Sequence, residues 1–162
     1  MEVYRIQVPA AVLAPLLALA LQALLPLYFP STALLDLPLL VVIYVGVTRR
    51  SPVTGLLTGA VLGMAQDGFA HGPIGLFGTA KTVIGYVTST VSTWFDVERV
   101  GIRFLLIFVF YYFHLALLLF VEWGLLREQA RLAEREGLLV ALVNALTGVV
   151  LFKLLDRFRE PA

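Results

Sequence analysis

The sequence predicts an all-α integral membrane protein, with six transmembrane helices in one compact bundle. Three observations carry this. The 162 residues are 60% apolar and 14% charged, with a mean hydropathy of +0.92, whereas soluble domains carry about 25% charged residues. Several apolar runs reach the roughly 20 residues needed to cross a hydrocarbon core of about 30 Å. Charge, proline and glycine punctuate those runs so closely that no stretch is left to fold separately in water, and residues 1–162 read as a single domain.

The first run, 8–29, follows Arg5. It exceeds the roughly 7–15 apolar residues of a signal-peptide core, so it is expected to be a retained helix. The second, 34–47, is short, and is expected either to extend past Asp36 or to sit in locally thinned lipid. The remaining spans are expected at 53–69, 74–94, 102–122 and 137–155, with Pro15 and Pro38 kinking their helices. A cytoplasmic N-terminus puts Arg5, Arg49, Arg50, Arg99, Arg103, Lys153, Arg157 and Arg159 inside. It leaves Arg127, Arg131 and Arg135 outside. Basic residues collect on the cytoplasmic side, so both termini are expected there.

The third span reads VTGLLTGAVLGMAQDG, and Gly55, Gly59, Gly63 and Asp67 recur every four residues. That spacing puts them on one helical stripe, where small residues admit another backbone. The stripe serves packing within the bundle or binding of a partner. Asp67 and Lys81 both fall within apolar spans near the outer surface. Intramembrane charges are paired, face a cavity, or snorkel to the interface. Two readings stand: a binding or proton site, and a structural ion pair or snorkelled lysine. The fourth span adds a small and polar face through Gly78, Lys81 or Thr82, Gly85, Ser89 and Ser92, and Ala10, Ala14 and Ala18 mark a second small-residue stripe on the first helix.

No catalytic residue, metal ligand set or cofactor site is expected. Cysteine is absent, HExxH does not occur, and the two histidines lie apart, His71 in a presumed HGP turn and His114 amid aromatics. A net charge of +1 argues against nucleic acid as a partner. The polar segment from Glu122 to Gly137 is strongly helix-forming, and reads as a solvated extension or a docking surface.

Two stretches carry a family resemblance: DLPLLVVIYVGVTRRSPVTGLLTGAVLGMAQD from Asp36 to Asp67, and GPIGLFGTAKTVIGYV from Gly72 to Val87. In size, in the Asp before the second span, in the Gly-rich third span ending in Asp, and in the turn leading to Gly85–Tyr86, the chain resembles the MreD family of bacterial rod shape-determining membrane proteins. Lys81 departs from the small or apolar residue expected there. The resemblance implies a non-enzymatic inner-membrane scaffold of the cell-elongation complex. It would bind the bitopic coiled-coil protein MreC in a hetero-oligomer and help couple MreB filaments to the peptidoglycan synthase RodA and its class B transpeptidase partner. It also implies a fold similar to the substrate-binding subunits of energy-coupling-factor vitamin transporters, and such a subunit is the alternative function. In that case the Ala10–Ala14–Ala18 stripe would dock on a coupling subunit, and the Asp67–Lys81 region would cap a ligand.

Overall fold

Proline and short polar side chains mark where the helices begin. Pro9, Pro38 and Pro52 lie in the first turns of α1 (Val8–Tyr28), α2 (Leu37–Arg49) and α3 (Pro52–Asp67), where a helix can spare an N–H. Asp36 accepts the N–H of Leu39 at 3.0 Å, and Ser51 accepts that of Thr54 at 3.4 Å. Helix α4 (Leu76–Val91) starts after Gly75, whose φ of 94° suits glycine. Helix α5 (Val100–Phe120) runs on into a π-helical turn, Val121–Leu126, and α6 (Leu138–Leu155) completes six α-helices among the described residues. The computed structural model describes residues 4–70, 72–94, 97, 99–126 and 137–161.

Of the two alternatives expected for the second helix, extension past Asp36 does not occur. Pro30–Leu34 forms a separate 3-10 turn, and the Asp36 side chain closes the start of α2. The prolines also act differently from one another: Pro15 lies inside α1, as does Pro26, while Pro38 sits in the first turn of α2. A proline there costs no helical hydrogen bond.

A two-stranded ribbon ties the ends together. Strand β1 (Tyr4–Ile6) pairs antiparallel with β2 (Arg159–Pro161), Tyr4 opposite Pro161 and Ile6 opposite Arg159. At this terminal end Arg103, from the start of α5, is ion-paired with Asp156 beyond α6. Arg159 reaches back to Tyr44 Oη and Thr48 Oγ1, each at 3.2 Å. The helices thus alternate in direction, with α1, α3 and α5 starting, and α2, α4 and α6 ending, at the terminal end.

Helix α2 is the axis of the bundle. Leu39, Leu40, Val42 and Ile43 have no exposed surface, and the rest of the core surrounds them. Against α2 lies the α3–α4 hairpin, in which two backbones touch. A Cβ added at Gly59 would stand 2.0 Å from the Lys81 carbonyl oxygen, and one at Gly85 would stand 2.0 Å from the Gly55 carbonyl oxygen. Gly63 meets Phe77 and Gly78 in the same antiparallel register. The hydroxyls of Thr82 and Ser89 donate to the carbonyls of Gly78 and Gly85, which satisfies them within α4.

By length and composition three helical stretches among the described residues can cross a membrane: Pro9–Tyr28, Val100–Gly124 and Leu138–Phe158. Helices α2, α3 and α4 are shorter, with 13, 16 and 16 residues. Large apolar side chains cover the outside, among them Leu17, Val61, Leu105 and Val150. Two exposed tryptophans stand at opposite ends: Trp94 follows α4 and Trp123 follows α5.

Candidate functional site

Every helix contributes a polar side chain to one layer near the far end of the bundle. Gln22 comes from α1, Asp36 from the start of α2, Gln66 and Asp67 from α3, Lys81 from α4, Tyr111 and His114 from α5, and Asn144 from α6. Glycines bring Lys81 there. With Gly78 and Gly85 it shares the face of α4 that packs inward, so its ammonium is carried into the core rather than outward.

Lys81 has no exposed surface and does not snorkel. Its Nζ donates to Asp36 Oδ2 at 2.6 Å, lies 3.5 Å from His114 Nε2, and stands 4.9 Å from the centre of the Phe77 ring. His114 stacks on Phe77, and its Nδ1 is 3.9 Å from Asp36 Oδ2. Asp36 is in turn held from both sides: Asn144 Oδ1 accepts its N–H at 2.9 Å, and Gln22 Oε1 accepts that of Leu37 at 3.0 Å. Asn144 Nδ2 donates to the carbonyls of Leu34 and Val140. A buried ion pair needs such support, because desolvation costs several kcal/mol per ion.

Asp67 has a different role from the ion pairing with Lys81 that the sequence leaves open. Its carboxylate accepts the N–H groups of Gly75, Phe77 and Gly78 at 3.0, 2.9 and 2.9 Å, across the turn between α3 and α4. These are unpaired donors of the first turn of α4, where a negative charge also meets the positive end of the helix dipole. Asp67 is therefore a helix cap supplied by the preceding helix.

The remaining sequence candidates separate. Gly55, Gly59, Gly63 and Gly85 are consumed by the α3–α4 contact, so that stripe is not free for a partner. Ala10, Ala14 and Ala18 line a groove of 480 Å³ between α1, α2 and α6, walled by Leu37, Val41, Leu151 and Leu155 among others. On its other flank α1 faces a second groove, of 370 Å³, toward Leu57 and Val61 of α3. The presumed turn at His71 and the polar stretch 127–136 lie outside the described residues.

Sequence reading missed Gln22, Gln66, Tyr111 and Asn144. The available signal was a lone amide or phenol inside an apolar run, but nothing local says that four such residues converge. Among the described residues no group of three or more His, Asp or Glu side chains is arranged to hold a metal. No family model matches the chain, and neither does any curated protein or solved structure.

Proposed function

We propose that this chain is a six-span protein of the bacterial inner membrane, with both termini cytoplasmic, and that it acts as a non-enzymatic scaffold. The exposed apolar belt supports membrane embedding, as do Trp94 and Trp123 at opposite ends, since tryptophan favours both membrane–water interfaces. The shorter α2, α3 and α4 are accommodated because α2 is enclosed by protein and the α3–α4 pair is closely packed.

The observation that carries the scaffold reading is the groove beside α1. Helix α1 is the least embedded of the long helices, with 11% of its apolar window buried against 39% for α5 and α6. Its alanine stripe forms the floor of a lateral, almost wholly apolar channel running from Gln7 to Leu21. Small residues in such a channel allow a second helix to approach closely, and van der Waals packing then drives association in lipid. Together with the resemblance to the MreD family, it supports the single transmembrane helix of an MreC-like partner as the occupant. The assembly would be a hetero-oligomer linking MreB, RodA and its class B transpeptidase to peptidoglycan synthesis and cell shape.

The rival, a vitamin-binding transporter subunit, needs a ligand chamber. Drug-sized ligands occupy about 300–1,000 Å³, and the polar cavity at the far end has 180 Å³. That difference weighs toward the scaffold. Co-purification tests it: wild-type chain should retain the MreC-like partner, and Ala14→Phe, which fills the groove from a half-buried position at the edge of the core, should lose it while the chain still folds. If Ala14→Phe retains the partner as wild type does, the groove is not the docking face.

A further inference from the structure

A second groove, of 370 Å³, runs along the α3 flank of α1. Ala11, Leu16 and Leu19 form one wall, and Leu57, Thr58 and Val61 form the other. The Thr58 hydroxyl donates to the Thr54 carbonyl at 2.8 Å, so it asks no hydrogen bond of an occupant. From Ala11 to Leu19 the groove follows α1 for about 12 Å, at roughly 1.5 Å per residue. That is close to the depth of one leaflet, half of a hydrocarbon core of about 30 Å. A transmembrane helix needs the whole core, whereas an acyl chain needs one leaflet. The leaflet is the one at the terminal end. Ala11 is the fourth residue of α1 and Leu57 the sixth of α3, and both helices start there.

Charge at that end selects the lipid. Val53, Leu57 and Val61, four apart and each more than half exposed, carry the α3 wall down to the turn between α2 and α3. Arg49 and Arg50 make that turn, Arg50 with a φ of 49°. Asp156 at the same end is taken by Arg103 and Arg159. Neither Arg49 nor Arg50 has a side-chain hydrogen bond or ion pair among the described residues. Guanidinium groups match phosphate oxygens, and basic residues at a membrane surface attract anionic headgroups. We propose that the groove seats an anionic phospholipid, with one acyl chain between α1 and α3 and the phosphate at Arg49 and Arg50. The site requires the membrane embedding proposed for the chain, and it is independent of the partner in the groove between α1 and α6.

Native mass spectrometry of the full chain released from detergent tests the site, with phosphatidylglycerol and phosphatidylcholine of the same acyl chains titrated in turn. Wild type should hold one phosphatidylglycerol in preference to phosphatidylcholine. Arg49→Gln with Arg50→Gln should weaken that binding at least about tenfold, since each basic residue near an anionic headgroup contributes a several-fold factor. Ala11→Phe fills the groove from an exposed position and should weaken it as well. The control pair Lys153→Gln with Arg157→Gln removes the same charge from exposed positions at the terminal end, and should keep the lipid. Equal loss in the control pair and the Arg49–Arg50 pair would mean a general attraction to basic surface and overturn the site. If Ala11→Phe keeps the lipid but releases a second copy of the chain or a protein helix, the groove seats that partner and the proposal is overturned. A chain that needs detergent yet shows no preference for phosphatidylglycerol overturns the lipid site alone. One that stays soluble and monomeric without detergent overturns membrane embedding and the site together.

Discussion

Lys81 Nζ and Asp36 Oδ2 meet at 2.6 Å, joining the middle of α4 to the first residue before α2, with the lysine wholly buried. Phe77, His114 and Asn144 close around the pair.

The costs of removing the two partners should therefore not add. Asp36→Asn leaves a buried ammonium without its counter-charge, and breaking a buried pair costs about 3–5 kcal/mol. The double variant Asp36→Asn with Lys81→Met should be milder than the sum of the singles, with a coupling of about 0.5–3 kcal/mol. Thermal or denaturant unfolding in detergent reads it. Strict additivity would show that the pair carries no mutual stabilisation.

Asp67 gives a contrasting cycle. Asp67→Ala leaves three N–H groups of α4 without their acceptor and should cost about 2 kcal/mol, at the upper end for lost caps. Asp67→Asn keeps one carbonyl acceptor and should lose less. Combined with Lys81→Met, Asp67→Ala should be additive within about 0.5 kcal/mol. Strong coupling between 67 and 81 would contradict the separate roles.

Two glycines on different helices should respond oppositely to alanine. At Gly59 the new Cβ meets the backbone of Lys81, so α3 and α4 must part. Overpacking of this kind costs about 1–3 kcal/mol, and the helix-propensity gain of up to about 1 kcal/mol does not offset it. At Gly101 nothing lies within 4 Å, and Gly101→Ala should be neutral or slightly stabilising. Equal tolerance at both positions, read by unfolding of the purified variants, would mean that α3 and α4 do not touch.

Topology can be read with single cysteines, because the chain has none of its own. Ser31→Cys, in the turn between α1 and α2, should react with an impermeant thiol reagent on intact cells. Thr93→Cys, just past α4, should react only after permeabilisation. The reverse pattern would invert the proposed orientation, and labelling of both on intact cells would overturn the six-span arrangement.

Much of the architecture is legible in composition and punctuation. Apolar content, prolines at helix starts and glycines between runs are local properties, and they were enough to indicate six helices and the close-packing stripe Gly55–Gly59–Gly63. The spacing of four puts those glycines on one face whatever the neighbours are. Which helix that face meets is not local, and only the folded chain assigned it to α4 rather than to a partner.

The same limit governs the charged residues. The sequence alone determined that Asp36, Asp67 and Lys81 lie toward one end of an apolar bundle. Proximity along the α3–α4 hairpin made Asp67 the obvious companion for Lys81. Tertiary structure decided otherwise, because Asp67 sits at the hairpin turn, where the free N–H groups of α4 are its nearest donors. Meanwhile the backbone contact at Gly59 and the inward face of α4 turn Lys81 toward the central helix α2. A side chain's partner depends on the relative rotation of packed helices, and that rotation is set by contacts distributed over the whole bundle rather than by spacing along any one of them.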